Sequence, residues 1–382
     1  MDGKRLKERI IAESLLLGID KVGFTTAKDF SELEDSLKEQ RKRGFTTGFE
    51  HPNIHERLYP TKIFNYPKSL ISIALAYPTK LKKKGDSTKG KRGKISRSSW
   101  GVDYHKILKH KMLLLIEKIK ELVTEEELDF RLMVDTGELV DVAVAKRSGI
   151  GFIGKNGLMI TEEFGSFVYL GEILTNLDLP SDRPRENQCG DCRRCLDNCP
   201  TKALLGDGRM NAKRCLSYQT QLKGNISKEF RRYMRTTIYG CDICQLVCPF
   251  NKGKDFHFHS LMEPSIEDVE PLLKPLLTIT NREFRERFGY MAASWRGRKP
   301  LQRNAIIALA NHHDISAIPD LLNVMENSSV AMIRGMAAWG LGELISTPSS
   351  KVKQRVFRAM DKETELETIQ EFVGVLEKWD VK

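Results

Sequence analysis

The chain has 382 residues, of which 40% are hydrophobic and 30% are charged, and its formal net charge is +11. This composition excludes fibrous and intrinsically disordered proteins, and the length allows one large core or two to three domains. No run approaches about 18 uninterrupted apolar residues, and the N-terminus has the pattern of an amphipathic helix without the apolar run of a signal peptide. We therefore expect a cytoplasmic protein without a membrane-spanning segment.

The first half of the chain alternates helical patterns with short apolar, β-branched runs. Such runs are SLISIALAY at 69–77 and FRLMVDTG at 130–137, and residues 105–123 carry apolar side chains at helical spacing. This alternation predicts an α/β or α+β domain over residues 1–180. The polar stretch 176–188 contains two prolines and predicts a linker into the following part of the chain.

Residues 79–97 carry nine basic side chains and one acidic one, Asp86. One interpretation is a solvated loop that keeps the protein soluble. The other is a phosphate-contacting loop, because clustered Lys and Arg gain affinity for a polyanion by releasing its counterions. Composition alone leaves both open.

Residues 134–174 are rich in glycine, which indicates either a backbone that passes close to a large flat ligand or a set of tight turns. The segment GIGFIGKNG is not a dinucleotide-binding fingerprint, because it follows a predicted helix where that motif follows a strand.

Asp135 lies just before the predicted helix in this segment, in the sequence VDTGE. Its simplest role is the N-cap of that helix. Its functional role would be a partly buried carboxyl whose raised pKa lets it act as a general acid. Spacing alone favours the cap.

All eight cysteines lie between Cys189 and Cys248, which in a reducing compartment indicates metal or cluster binding and not disulfides. The first run has the spacing C-x2-C-x2-C-x3-C-P of bacterial ferredoxins. The second run departs from a simple ferredoxin, because 25 residues separate Cys215 from Cys241.

Pseudo-twofold pairing divides the cysteines into two sets of four, one for each 4Fe-4S cluster. The first quartet is Cys189, Cys192, Cys195 and Cys248, and the second quartet is Cys199, Cys215, Cys241 and Cys244. Zinc is the competing ligand for CxxC pairs, but two runs that each end in Cys-Pro favour iron-sulfur clusters. We therefore predict a ferredoxin-like module over residues 181–260 that moves electrons, either inserted into the domain at 1–180 or appended to it.

The remaining chain, residues 261–382, is predicted to be helical. The runs at 303–311 and 334–344 echo each other at a spacing of about 31 residues, each beginning with Arg and rich in Ala. This predicts either a short HEAT-like helical array or a plain helical hairpin.

Several motifs together resemble the epoxyqueuosine reductases, the cobalamin-dependent enzymes of queuosine biosynthesis in bacterial tRNA. They are VDTGELVDVAVAKRSGIGFIGKN, GSFVYLGEILTNLDLP, CGDCRRCLDNCPTKAL, RCLSYQTQLKG and YGCDICQLVCPFNK. The resemblance implies a catalytic domain related to reductive dehalogenases, which binds base-off cob(II)alamin without an axial histidine from the protein. Consistent with this, the ligand pattern D-x-H-x-x-G is absent: Asp103 and His105 begin it, but Leu108 stands at its glycine.

The resemblance also implies the substrate and the site residues. The expected reaction reduces the epoxide of epoxyqueuosine at the tRNA wobble position with two electrons, and Asp135 becomes the expected proton donor. The implied cobalamin-binding residues are Arg57, Ser96, Asp135, Val140, Met159, Thr161, Leu170, Ser217 and Asp242.

A tRNA substrate favours the phosphate-contacting interpretation of the basic loop, with Lys91 and Arg92, and adds Lys223 as a further contact. An external electron donor of the flavodoxin or ferredoxin type and a monomeric state are expected. Two rival interpretations are a reductive dehalogenase that acts on a small organohalide and a non-enzymatic electron-transfer subunit.

Overall fold

The computed structural model describes residues 2–83, 85–123 and 127–380. The strands are β1 (Lys21–Thr26), β2 (Ser69–Ala76), β3 (Lys94–Ile95), β4 (Phe130–Met133), β5 (Phe152–Ile153), β6 (Met159–Ile160), β7 (Val168–Thr175) and β8 (Thr237–Tyr239). The helices of the first 250 residues are α1 (Gly3–Leu16), α2 (Glu34–Lys42), α3 (Ile54–Leu58), α4 (Tyr104–Leu122), α5 (Asp141–Arg147), α6 (Arg194–Asn198), α7 (Leu216–Gln221), α8 (Lys228–Met234) and α9 (Ile243–Leu246). The helices that follow are α10 (Ile266–Val269), α11 (Leu273–Leu276), α12 (Asn281–Phe288), α13 (Arg298–Asn311), α14 (Ile318–Asn327), α15 (Ala331–Leu344), α16 (Ser350–Asp361) and α17 (Leu366–Asp380).

The chain folds into two compact units, and each is assembled from three separate stretches. The first unit comprises residues 1–80, 102–215 and 242–263, and the second unit comprises residues 81–101, 216–241 and 264–382. The predicted linker at 176–188 has neither helix nor strand and lies within the first unit.

The centre of the first unit is a four-stranded sheet in the order β1-β2-β7-β4, in which every neighbouring pair is antiparallel. The central strand β2 is buried along its whole length, as its run of apolar residues predicts. The fold combines helices and strands as predicted, and because its sheet is antiparallel it is of the α+β type.

Helices cover both faces of this sheet because alternate residues of a strand point to opposite sides. Ile71 and Ile73 of β2 pack with the buried side chains of α1 and α4. On the other face, Leu70 packs with Val144 of α5, and Ala74 packs with Ala145 of the same helix. Each fully buried aliphatic side chain of this size contributes about 2 kcal/mol to the free energy of unfolding.

The long helix α4 follows its sequence pattern closely. It begins at Tyr104, one residue before the predicted start, and its buried residues recur at helical spacing from Ile107 to Ile119. Asp103 is its N-cap: the side chain accepts a hydrogen bond from the backbone N–H of His105. The cap fixes the position of His105 in the first turn of α4, and His105 belongs to the site described below.

In the second unit, β3 pairs with β8 in parallel, and most of the remaining structure is helical. Helix α15 packs against α13, α14 and α17. A Cβ atom at Gly342 would lie 2.9 Å from Val375, so the small residue lets α15 approach α17 closely.

Two polar residues of α13 hold the end of α7 and the residues that follow it. Arg303 is completely buried, and its guanidinium donates hydrogen bonds to four backbone carbonyls, those of Gln219, Thr220, Leu222 and Gly224. Asn304 donates to the carbonyls of Thr220 and Ile238 at 2.8 and 2.7 Å. Because buried carbonyls are costly to leave unpaired, these bonds tie the segment to the helix.

Within the described residues, the structure has no helix that is both long and apolar enough to cross a membrane.

Candidate functional site

Asp135 lies two residues beyond the end of β4, in a backbone conformation that non-glycine residues rarely adopt. Its φ is +52°, and Asp tolerates this left-handed region better than most residues. Its backbone N–H donates to Oδ2 of Asp141 at 3.0 Å. Helix α5 begins at Asp141, with Val140 at the N-cap position, so Asp135 does not cap this helix and that interpretation is wrong.

The Asp135 side chain is held by two residues at the start of α4. Tyr104 donates from Oη to Oδ2 of Asp135 at 2.9 Å, and Nε2 of His105 lies 3.5 Å from the same oxygen. On the other side of the imidazole, Nδ1 of His105 lies 2.7 Å from Oδ1 of Asp103. We call Asp103, Tyr104, His105 and Asp135 the Asp135 cluster.

The charges of this cluster differ from the expectation for a general acid. Protein atoms that displace water around the carboxyl act to raise the pKa of Asp135, but the nearby His105 and the hydrogen bond from Tyr104 outweigh them, so the pKa lies below its usual value. The expectation of a raised pKa is therefore wrong for the protein without substrate. Burial opposes the charge of His105, yet its hydrogen bond with Asp103 and the nearby carboxylate of Asp135 raise its pKa from 6.5 to about 9. At neutral pH the cluster contains an imidazolium beside a carboxylate, and because the Asp135 side chain is 60% exposed, water weakens their attraction.

Two further carboxyl groups lie close enough to Asp135 to interact with its charge. Burial and the charges of Asp141 and Asp135 raise the pKa of Glu172 well above its usual value. Burial and the charge of Asp135 raise the pKa of Asp141 to about 7. Glu172 lies within β7, is 0% exposed, and neither carboxyl oxygen has a hydrogen-bond partner among the described residues. Its surroundings therefore favour the neutral form of the acid.

Arg57, a predicted cofactor-binding residue, belongs to the same neighbourhood. Burial lowers the pKa of its guanidinium, while the charges of Glu50 and Asp141 act to raise it. The positive charge of Arg57 in turn acts to lower the pKa of Asp141. The structure thus brings Arg57 into electrostatic contact with the group next to Asp135.

A stack of tyrosine rings adjoins the Asp135 cluster. The ring of Tyr169 stacks on Tyr104 with a centroid distance of 4.4 Å, and Tyr77 lies 4.5 Å from Tyr169. The amide of Gln245 in α9 donates to Oη of Tyr77 at 3.0 Å. The charge of Asp242, a predicted site residue just before α9, adds to burial, Tyr77 and Asp103 in raising the pKa of Tyr169. This links α9 to the Asp135 cluster through the rings.

The other predicted residues of the first unit are largely used in packing. Met159 is buried and packs in one apolar cluster with Leu170, which is half-buried, and Val140 is half-buried in another. Thr161 is buried, and its hydroxyl donates to the carbonyl of Gly165 at 3.1 Å. Val140 and Leu170 therefore keep some exposed surface for a ligand, whereas Met159 and Thr161 keep almost none.

The glycines of this segment serve the protein's own turns and close packing. A Cβ atom at Gly151 would lie 2.2 Å from the carbonyl oxygen of Ile160, where β5 meets β6. Gly165 adopts φ +62°, and a Cβ atom there would lie 2.1 Å from Oδ1 of Asn251. At these positions the tight-turn interpretation accounts for the glycine.

Two predicted cofactor-binding residues belong to the second unit. Ser96 is buried, with its hydroxyl 3.1 Å from that of Ser98. The carbonyl of Ser217 accepts a hydrogen bond from Gln221 at 2.9 Å.

The three predicted tRNA-binding residues also belong to the second unit and differ in availability. Lys91 and Lys223 are exposed. The Arg92 side chain is 9% exposed and forms an ion pair with Glu267 at 2.9 Å. Arg92 is thus engaged within the unit.

The structure brings the first quartet together around one cavity. Burial raises the pKa of Cys248, as do the neighbouring Cys189, Cys195 and Cys192. Four thiols that oppose each other's ionisation form a favourable group when a cationic centre binds their thiolates. The cavity is lined by Lys155, Asn156, Ile160, Cys189, Cys192, Arg194, Cys195, Cys248, Pro249 and Phe250.

The second quartet is distributed over the ends of three short helices. Cys199 follows α6 directly, and its sulfur accepts a hydrogen bond from the N–H of Ala203 at 3.3 Å. Cys215 precedes α7, Cys241 precedes α9 by two positions, and Cys244 lies within α9. An N–H donor to a ligand sulfur is one means by which a protein tunes the potential of a cluster.

Sequence reasoning missed several residues of the site. His105 was named only as part of an incomplete ligand pattern, and Tyr104, Asp141 and Glu172 were not singled out. The available signal was Glu172 itself, a charged residue inside the apolar run FVYLGEIL.

Two family models match the chain. The model described as "Epoxyqueuosine reductase QueG, DUF1730" matches residues 57–136. The model described as "4Fe-4S double cluster binding domain" matches residues 188–251, a range that contains all eight cysteines.

The chain is also similar to whole proteins. It is 49% identical over 375 residues to the epoxyqueuosine reductase of Listeria monocytogenes, covering 98% of each chain. A crystal structure of epoxyqueuosine reductase with an epoxyqueuosine-modified tRNA-Tyr stem loop is 46% identical, with a TM-score of 0.94 and coverage of 98% of this chain and 99% of that one. A structure of the Bacillus subtilis enzyme, in which a catalytic aspartate loop is swung out of the active site, also has 46% identity, a TM-score of 0.94, and coverage of 98% of this chain and 99% of that one.

Proposed function

Because the chain belongs to the epoxyqueuosine reductase family, we propose that it reduces epoxyqueuosine in tRNA to queuosine, the last step of queuosine biosynthesis. The observation that carries this proposal is the similarity along almost the whole chain to an enzyme that holds an epoxyqueuosine-modified stem loop. The reaction consumes two electrons and two protons, and the epoxide oxygen leaves as water. The protein is thus an oxidoreductase that needs a path for electrons and a source of protons.

The electron path is two 4Fe-4S clusters, one in each cysteine quartet. Support for the first quartet comes from its shared cavity, whose thiols interact with one another. Support for eight ligands in all comes from the match to a double-cluster domain over residues 188–251. By function, we divide the chain into a catalytic part at 1–180, a ferredoxin-like part at 181–260 and a HEAT-like helical part at 261–382.

The catalytic part is proposed to bind cobalamin, which when bound supplies a strongly reducing cobalt centre next to the epoxide. Two of the residues proposed to hold it are Arg57 and Asp242, whose charges act on Asp141 and Tyr169 beside the Asp135 cluster. Two others are Val140 and Leu170, which keep partial exposure. A smaller contribution to cobalamin binding is proposed for Ser96, Met159, Thr161 and Ser217.

His105 fits a proton-donating role better than a role as a cobalt ligand. Both ring nitrogens face carboxylates, and its pKa of about 9 keeps it protonated at neutral pH. A protonated imidazole has no lone pair to offer a metal. This observation supports a cobalamin without an axial histidine from this position.

The Asp135 cluster is proposed to deliver protons to the departing oxygen. We propose that Asp135, in the loop after β4, is the residue that reaches the substrate. Support comes from the similar Bacillus subtilis enzyme, which also has a catalytic loop that carries an aspartate. Tyr104 donates a hydrogen bond to Oδ2 of Asp135, and Nε2 of His105 lies 3.5 Å from the same oxygen. Asp135 therefore passes on a proton that His105 supplies, and the carboxylate also stabilises the His105 cation until transfer.

We propose further that Lys91 and Lys223 contact tRNA phosphates, with a smaller contribution from Arg92. The helical part is proposed to be HEAT-like because α13, α15 and α17 pack in succession. A monomer in the cytoplasm, reduced by a donor of the flavodoxin or ferredoxin type, completes the proposal.

The test is turnover of an epoxyqueuosine-modified tRNA-Tyr stem loop by the anaerobically loaded holoenzyme with dithionite. We expect a product that has lost one oxygen atom by mass, and we expect Asp135→Asn to abolish turnover while it keeps cobalamin absorption and stem-loop affinity. The matched control is Asp35→Asn, an exposed aspartate in α2. Product formation by Asp135→Asn at the wild-type rate would refute the role of Asp135, and no product from the wild type would refute the function.

A further inference from the structure

A depression of about 530 Å³ opens beside the first quartet. Its lining residues are Lys155, Arg193, Leu196, Asp197, Lys202, Leu204, Leu205, Gly206 and Asp207. Leu205 is 39% exposed, so the depression combines apolar surface with a charged border. Apolar contact area inside a polar rim is the usual anatomy of a protein–protein interface.

Lys155 connects this depression to the first quartet, because it lines both cavities. Its ammonium group donates to the carbonyl oxygens of Gly190 and Cys192, in the loop that carries two of the quartet's ligands. A protein seated in the depression would therefore lie against the cluster loop. Short distance is what transfer of an electron between two proteins requires.

The border of the depression carries an excess of positive charge. Its acids are compensated, since Asp197 pairs with Arg193 at 3.7 Å and Asp207 pairs with Arg209 at 2.6 Å. Lys155 and Lys202 bond to backbone carbonyls and so keep their full charge.

One further exposed cation and one further exposed acid contribute to the charge around the depression. Arg194, next to the depression, is exposed and makes no ion pair with any residue of the described ranges. Asp191 is an exposed acid nearby. The excess of cations over acids fits an acidic partner.

The position of α9 indicates which quartet faces the chemistry. Gln245 of α9 donates a hydrogen bond to Oη of Tyr77 at 3.0 Å, and the Tyr77 ring lies 4.5 Å from that of Tyr169. Tyr169 in turn stacks on Tyr104 of the Asp135 cluster, and α9 carries Cys244 of the second quartet. The second quartet is thus the one associated with the Asp135 cluster. The cluster of the first quartet is therefore the one that accepts electrons from outside, and the depression lies beside it.

We propose that this depression is the docking site of a small acidic one-electron carrier protein, which reduces the cluster of the first quartet. The inference rests on the proposed function. At each encounter the carrier loses one electron and the cluster gains one, so two encounters supply the two electrons of a turnover. The carrier's acidic surface meets Lys155, Arg193 and Lys202 of the lining, and the apolar part of the depression excludes water from the contact.

The test measures reduction of the clusters in the holoenzyme by flavodoxin hydroquinone, using stopped-flow absorbance at low salt. The variant is Arg193→Glu with Lys202→Glu, and the matched control is Arg9→Glu, an exposed arginine of α1. We expect the second-order rate constant of the double variant to fall at least about tenfold, because reversing rim charges acts mainly on association. The control should match the wild type, and reduction by dithionite should be unchanged in all three proteins.

Iron content and the cluster spectrum establish that the double variant is intact, and Lys202→Glu alone serves if it is not. In the wild type, without any substitution, the rate constant with flavodoxin should fall as salt is added. An unchanged rate constant in an intact variant would overturn the docking site, as would a loss of stem-loop affinity with a normal flavodoxin rate. Failure of dithionite-driven turnover concerns the proposed function alone, because flavodoxin reduction of the clusters is measured without tRNA.

Discussion

Replacing Asp103 with Asn tests whether the charge of His105 drives proton delivery. Asp103 contacts His105 at 2.7 Å and does not contact Asp135, so it acts through the imidazole. Asn caps helices as well as Asp does, so the start of α4 should be preserved. What the substitution removes is one of the two carboxylates that raise the pKa of His105 to about 9.

The expected effect can be worked out from these values. At pH 8, a group with a pKa of about 9 is about nine-tenths protonated. If the variant's His105 pKa falls midway to the ordinary value, only about one-third is protonated at pH 8, and the rate falls about threefold. At pH 6 both proteins are almost fully protonated, so their rates should agree. Because a protonated donor is needed, the loss appears on the alkaline side.

The assay is single-turnover reduction of the modified stem loop between pH 6 and pH 9.5, with dithionite as reductant. The ratio of wild-type to variant rates should rise from about one at pH 6 to about three at pH 8. Parallel pH profiles for the two proteins would refute the assignment of His105 as proton source, whatever the absolute loss of activity.

Three further changes have defined outcomes. Glu172→Gln should raise the melting temperature relative to wild type more at pH 8 than at pH 5. The folded wild-type protein holds the pKa of Glu172 above its unfolded value near 4.5, so it loses stability as pH rises above that value, by up to about 1.4 kcal/mol per pH unit. A pH-independent difference in melting temperature would contradict this. Cys248→Ala should lower iron from about eight to about four atoms per chain, and unchanged iron would exclude Cys248 from the first quartet. Arg303→Lys should lower the free energy of unfolding by about 3 kcal/mol, since an ammonium group cannot reach four carbonyls; stability within about 0.5 kcal/mol of wild type in thermal melts would speak against it.

The sequence predicts well those features that depend on neighbours along the chain. Apolar periodicity located α4 and β2 within one or two residues, and cysteine spacing grouped the first quartet that the structure gathers around one cavity. These features are local, or follow a spacing that one type of site requires.

The charge state of Asp135 could not be predicted in this way. Its surroundings come from the start of α4, from α5 and from β7, and the antiparallel pairing of β2, β7 and β4 brings them together. The direction of the pKa depends on which of those groups donate hydrogen bonds, and Tyr104 and His105 lie about 30 residues away in sequence. For the same reason the two compact units, each made of three stretches, could not be read from composition.

The hydrogen bonds from Arg303 to the end of α7 and the residues after it have a consequence for how the protein is made. A growing chain emerges N-terminus first, and domains generally fold as units as they appear. All eight cysteines leave the ribosome before α13 is synthesised, yet several carbonyls between Cys215 and Cys241 gain hydrogen bonds from Arg303 and Asn304 of that helix. The ligands of the second quartet therefore reach their final spacing late in synthesis, and insertion of that cluster should follow completion of the chain beyond α13.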